Sequence, residues 1–443
     1  MIQGRNIVCV ASNWSDHPTS KHHIMRRLAR ENDIIWVNYH ASRRPQLTRA
    51  DLALAVRRLW QTAQNRVRRF GAGRNAGPGS RGRIDVLSPL LLPLPDSPFA
   101  QRWNVCTLRR CITQALRRLP ERPVQLWLFA PDLPGLIGQL RAERVVYYCV
   151  DDFAAFSGYN AALIENLETL TIAASHIVIT TSVKLYEERR RVHACVHLVP
   201  HGVDFAHFAA APALPAAAIP RELQRLPRPV LGYMGQVCDY MDFALLAAAA
   251  RARPEWSFVF VGDVRCDVGP LAALENVHLL GGRPYAELPR YCRGFDVGLI
   301  PFRLNRLTRA VNPIKLQEYL AAGLPIVSAP LAAVLPHAPA VRLASTLEEF
   351  LSACEAALAA RSAGDLQSGT IQDLVRGESW AARLELISRL VMELPPTRQP
   401  AGPEHKPGIA QTAPSAARRP QRTAPVPTGL VSGNHVTSPG SAQ

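Results

Sequence analysis

The chain has 443 residues, 48% apolar and 19% charged, with a formal net charge of +16 from 51 Lys and Arg against 35 Asp and Glu. This length exceeds one ordinary core and the composition excludes a collagen-like or wholly unfolded chain, so two globular lobes plus an extra segment are expected. The charge favours phosphates, nucleic acid or a lipid surface as partners without choosing among them. Nine cysteines lie scattered without a CxxC pair, which reads as reduced core thiols rather than a disulfide frame or zinc site. No run reaches the roughly 18 uninterrupted apolar residues of a membrane-spanning helix. The opening MIQGRNIVCVASNW reads as a first strand and not as a signal peptide. A cytoplasmic protein, soluble or peripheral on the inner face of a membrane, is therefore expected.

In chain order, short β-branched runs alternate with helical patterns: NIVCVA (6–11), DIIWVN (33–38), VQLWLFA (124–130), RVVYYCV (144–150) and HIVITT (176–181). Strands separated by helices predict a parallel sheet covered on both faces, hence a Rossmann-like lobe over residues 1–204. Residues 205–228, rich in Ala and Pro without a sustained period, read as an interdomain linker. A second alternating series begins at VLGYM (230–234), continues through WSFVFVG (256–262), NVHLL (276–280), FDVGLIP (295–301) and LPIVS (324–328), and closes with helices near 346–361 and 378–393. This predicts a second doubly wound lobe over 229–393, facing the first across a central cleft. From 394 to Gln443 the chain is polar and rich in Pro and Ala, and a disordered tail is expected.

The stretch NPIKLQEYLAAGLPIVS (312–328) reads as helix then strand. Asn312 suits the N-cap and Pro313 the first helical position, and Gly323 and Pro325 supply the stop. Lys315 and Glu318 fall three apart on one face near that start. A helix amino end with a lysine in its first turn suits a phosphate, and a carboxylate one turn later suits vicinal hydroxyls such as those of a ribose. The alternative is an ordinary surface Lys–Glu pair.

The ordered set NPIKLQEYLAAGLPIVS, LVPHGVDFAHF (198–208), VLGYMGQVCDYMDFALL (230–246) and FDVGLIPF (295–302) resembles the GT-B glycosyltransferases, particularly the family-4-like enzymes of bacterial polysaccharide and surface-glycan synthesis. The resemblance spans roughly residues 6–392. It implies two Rossmann-like domains, a nucleotide-diphosphate sugar as donor substrate rather than a cofactor, and a glycan or lipid-linked acceptor. It also implies that Glu318 binds the nucleotide ribose and that Gly235 and Gln236 begin the loop under the donor diphosphate. Two departures stand out. Many relatives carry a second glutamate eight positions earlier, where this chain has Ala310, and often a basic pair in the first loop of the second lobe, where it has Gln236, Val237 and Asp239. Lys315 is thus expected to be the main diphosphate cation. Arg303, Arg306 and Arg309 either extend that anion site or form a solvated basic loop.

On the acceptor side, Asp151 and Asp152 follow a strand expected to be buried, where α/β proteins place ligands. One could serve as a general base or orient the acceptor; the alternative is a helix N-cap. Asn13, Trp14, His17 and Lys21 follow the first strand and are expected as acceptor contacts, with His22 and His23 in surface or acceptor-contact roles. The Cys and carboxylate neighbours of a metal site are missing there, and no metal is expected. Residues 52–70 form a basic amphipathic pattern suited either to an anionic lipid interface or to packing on the sheet. The rival expectations are a sugar-nucleotide epimerase of the same architecture and a non-enzymatic basic protein binding a membrane or nucleic acid. Nucleic acid is the less expected partner, since no RRM, KH or zinc-finger pattern occurs.

Overall fold

The computed structural model describes residues 1–42, 82–337, 340–364 and 367–395. The basic pattern at 52–70 lies outside them, as does all of the tail beyond its first two residues. Two sheets organise the described chain. The first runs β3-β2-β1-β4-β5-β6-β7, with β1 (Asn6–Ala11), β2 (Asp33–Asn38), β3 (Ile84–Leu87), β4 (Val124–Leu128), β5 (Ala142–Cys149), β6 (Ile177–Thr180) and β7 (Val196–Leu198). The second runs β10-β9-β8-β11-β12-β13, with β8 (Val230–Met234), β9 (Ser257–Val261), β10 (Val277–Gly281), β11 (Val297–Ile300), β12 (Ile326–Ser328) and β13 (Val341–Leu343). Every strand pair in both sheets is parallel.

A parallel sheet needs helical crossovers that cover both faces, which is why the central strands are near-continuous apolar runs, with polar residues mostly at their ends. In β1, Val8 and Val10 belong to the apolar cluster on one face. Ile7, Cys9 and Ala11 belong to the cluster on the other. In each sheet the chain winds outward and then returns beside its own first strand, so β1 meets β4 and β8 meets β11. Loops leaving such neighbours diverge and open a crevice at the carboxyl ends of the strands.

Two segments differ from expectation. Residues 205–228 are folded onto the second lobe: Phe208, Ile219 and Leu223 lie in its core, and Leu223 lies close against Gly294. The lack of period hid three large apolar residues that short turns bring to one side. The helix Trp380–Met392, expected to complete the second lobe, packs on the first instead. Trp380, Leu384, Ile387 and Val391 share a core with Ile7, Ile24 and Trp36, because that stripe fills the open face beside the helix Ser20–Leu28. The chain therefore crosses between lobes twice, and the crossings run side by side. Val203 N donates to Glu378 O (2.9 Å) and Trp380 N to Val203 O (3.1 Å). Gly202 permits this approach, since a Cβ there would sit 2.8 Å from Trp380 N. Among the described residues, no helix is long and apolar enough to cross a membrane.

Candidate active site

The helix Ile314–Ala321 begins beyond β11, at the crevice of the second sheet. Its N-cap is Pro313, one residue later than expected, and no side chain caps it. Asn312 is buried and turns away, its Nδ2 donating to the Thr181 carbonyl of the first lobe at 3.0 Å. The cap shifts because the Asn312 amide finds that buried acceptor instead of its own helix. First-turn N–H groups are thus left without a side-chain acceptor, which is what an anion-binding end requires.

Lys315 and Glu318 point the same way, Nζ to Oε2 3.6 Å, with side chains 20% and 3% exposed. Glu318 Oε2 is buried and has no hydrogen-bond partner. Burial pushes the Glu318 carboxyl above the usual range, and Lys315 opposes that. A buried carboxylate oxygen without a donor is costly unless a ligand supplies one. Gly235 follows β8 with φ +145°, and a Cβ on it would lie 2.7 Å from Lys315 Cε and 2.9 Å from the Tyr233 hydroxyl oxygen. The lysine stem thus lies directly over a backbone position only glycine fills easily. Gln236 is exposed, and its carbonyl is held by the Tyr233 and Tyr240 hydroxyls at 3.0 and 3.1 Å.

In the first lobe, Asp151 and Asp152 follow β5 and part company. Asp152 is 1% exposed and bonded to Arg306 of the second lobe, Nε to Oδ2 2.8 Å, with Arg189 at 3.9 Å. It also leaves the next turn uncapped. A carboxylate so occupied is a strut between lobes, which leaves Asp151 as the less engaged of the two. Asp151 is half-buried and its carboxyl is pushed up to about 7, chiefly by burial, with Lys21 lowering it and Asp152 raising it. That is where a general base for neutral pH is best placed. Lys21 is depressed by burial and supported by Asp151 and Asp16.

The remaining expected acceptor contacts are distributed unevenly. Trp14 folds its own loop, its N–H on Asn38 Oδ1 at 2.8 Å and its ring 4.9 Å from Trp36. Asn13 Oδ1 accepts from Ser15 N at 3.2 Å. His17 is exposed and its ring meets Tyr285 of the second lobe at 5.6 Å. His22 and His23 are buried rather than at the surface. His22 Nδ1 accepts the Thr19 N–H at 3.2 Å, and His23 stacks on Trp380 at 5.3 Å. The crossover helix supplies that partner, and sequence alone had placed the helix elsewhere. Arg306 resolves the basic loop: besides Asp152 it holds Glu165 at 2.6 Å. Ala310 is packed into the first-lobe core. Among the described residues no group of three or more His, Cys, Asp or Glu could hold a metal ion.

Two further residues escaped sequence reasoning. Tyr285 is surrounded by His17, His23 and His207. His201 is buried with Nδ1 lacking a hydrogen bond, and its pKa is pushed down to about 3 by burial, then by Lys315, Arg383 and Lys21. HGVD carried a hint of His201; nothing local marked Tyr285.

Comparison with known proteins bears on this arrangement. Residues 228–359 match the family model of glycosyl transferases group 1. TuaH of Bacillus subtilis, named for a teichuronic acid biosynthesis glycosyltransferase, is 31% identical over 218 residues, 46% of this chain. That match spans about half, 54%, of the relative's length. Among solved structures, sucrose-phosphate synthase from Thermosynechococcus elongatus superposes with a TM-score of 0.63 at 14% identity, covering 88% of this chain and 99% of that one. HepE from Anabaena in complex with UDP-glucose gives 0.60 at 12% identity, with 88% and 100% covered. The chain has the GT-B fold.

Proposed function

We propose, from the premise that this is a GT-B chain whose residues 228–359 belong to the glycosyl transferases group 1 family, that it moves a sugar from a nucleotide-diphosphate sugar to a hydroxyl of a glycan or lipid-linked acceptor in surface polysaccharide synthesis. The name of TuaH supports the pathway class, and the UDP-glucose of the HepE structure makes uridine diphosphate sugars the first donors to test. The observation that carries the reading is Glu318 Oε2, buried and without a hydrogen bond, 3.6 Å from Lys315 Nζ at an uncapped helix start.

In this reading the diphosphate lies over Gly235 at that helix end and Glu318 accepts hydrogen bonds from the ribose hydroxyls. Lys315 and the helix N–H groups take up the charge that develops on the leaving diphosphate, and the reading assigns no step to a metal ion or cofactor. As the acceptor oxygen bonds the sugar and the sugar–diphosphate bond breaks, Asp151 of the opposite lobe takes the hydroxyl proton, or orients that hydroxyl while the leaving diphosphate takes it, and closure supplies the proximity. The work is cytoplasmic, at the inner face of a membrane. Calorimetry with a panel of nucleotide sugars tests the donor site. The wild-type protein binds at least one, and Lys315→Ala weakens it roughly tenfold to a hundredfold, as expected for a charge-assisted contact. Equal affinity in that variant, or no binding to any nucleotide sugar, overturns the reading.

A further inference from the structure

The helix Pro98–Leu116 covers one face of the first sheet through Leu108 and Ile112. Its outer surface is not the polar one such a helix normally shows water. Phe99 is 69% and Trp103 49% exposed, one turn apart, and in the segment bonded to this helix Leu90 and Leu94 are 55% and 47% exposed. This exposure is built in. Buried Asn104 clamps the preceding segment with both amide groups, Oδ1 accepting from Leu92 N at 2.8 Å and Nδ2 donating to Leu92 O at 2.9 Å. Gln101 Nε2 adds a bond to Pro95 O at 2.6 Å. Leu91 is thereby held in the core while its neighbour Leu90 and then Leu94 face outward.

Charge and position say what covers this patch. The helix contains no Asp or Glu, and Arg109 and Arg110 are exposed on it. The nearest acid along the chain, Asp96, is bound by Asn160 Nδ2 at 2.7 Å. That bond ties the patch to the segment that follows Asp151. Within that segment Phe153, Phe156 and Tyr159 are half-buried, with successive ring centroids 6.1 Å apart. A run of aromatic rings thus follows Asp151 and Asp152, in the segment that Asn160 bonds to Asp96, two residues after Leu94. Aromatic and leucine side chains flanked by arginines are what an anionic lipid interface accepts, the rings at headgroup depth and the guanidinium groups on the lipid phosphates.

We infer that the face formed by Leu90, Leu94, Phe99 and Trp103, with Arg109 and Arg110, docks this lobe on an anionic bilayer and sets the acceptor mouth of the cleft at the lipid surface. The inference rests on the proposed transfer only for the nature of the acceptor; docking itself needs no turnover. The test is flotation of the full chain with vesicles of phosphatidylcholine, with and without phosphatidylglycerol. The wild-type protein floats with the phosphatidylglycerol vesicles and not with pure phosphatidylcholine. Phe99→Ser with Trp103→Ser, and separately Arg109→Glu with Arg110→Glu, each lower the bound fraction roughly tenfold while circular dichroism and thermal melting stay as in wild type. A wild-type chain that ignores anionic vesicles, or variants that bind as well as wild type because another segment such as 43–81 makes the contact, overturns it. Nucleotide-sugar binding measured in the same preparations without lipid keeps a failure of docking separate from a failure of the donor reading.

Discussion

Replacing Asp151 by Asn removes one oxygen's charge and little volume. In the folded protein this carboxyl titrates at about 7 instead of 3.8, so at about 1.4 kcal/mol per decade its ionisation opposes folding by about 4 kcal/mol at alkaline pH. Asp151 is half-buried rather than enclosed, which makes that figure a ceiling. The sign follows from the raised value: the contribution is complete below the unfolded pKa and is lost as pH rises through the folded one. Wild-type stability should therefore decline between about pH 4 and pH 7 by an amount that Asp151→Asn does not show. Urea midpoints at pH 5 and pH 8 measure it, the variant's gain on wild type being clearly larger at the higher pH. Transfer to acceptor should fall by about 10²- to 10⁴-fold while donor affinity stays within a factor of about two, and the ionisation near 7 should vanish from the pH profile of kcat/KM. Undiminished transfer, or a profile that keeps this ionisation in the variant, refutes both the base role and the desolvation argument.

Glu318→Gln should weaken donor binding about tenfold or more by calorimetry, yet leave the urea midpoint of the free protein at pH 8 no lower than wild type, because burial holds this carboxyl above its usual range despite the Lys315 ammonium beside it. Gly235→Ala puts a methyl 2.7 Å from Lys315 Cε at φ +145°; the strain is about 1–3 kcal/mol, and a titration should show at least a tenfold weaker donor as the lysine is displaced. Arg306→Ala leaves buried Asp152 with only Arg189, 3.9 Å away, and should cost about 1–3 kcal/mol in urea unfolding. In the same variant, small-angle scattering should show a larger radius of gyration if this pair holds the lobes together.

What the sequence disclosed and what it hid divide along a physical line. Strand identity in both lobes was legible because β1, β5, β8 and β11 are short apolar runs bounded by turn residues, a pattern each segment carries alone. The shared direction of Lys315 and Glu318 was legible for the same reason, since three residues on a helix fix a shared face. Contacts between residues far apart in the chain were not. Asn312 with Thr181, Arg306 with Asp152 and His23 with Trp380 join segments more than a hundred residues apart. Each of these partners reads locally as an ordinary cap, a solvated charge or a surface ring. The two carboxylates after β5 show the limit well. Adjacent and chemically identical, they are assigned different duties by one arginine contributed from the other lobe.

The paired crossings at Val203 and Ser379 also carry a mechanical consequence. A single connecting strand would let the halves twist and slide in any direction, whereas two chains bonded edge to edge resist torsion and leave rotation about one line as the soft motion. Opening to admit a sugar nucleotide and shutting upon it would then retrace the same arc, returning Lys315 and Asp151 to the same mutual placement at each turnover.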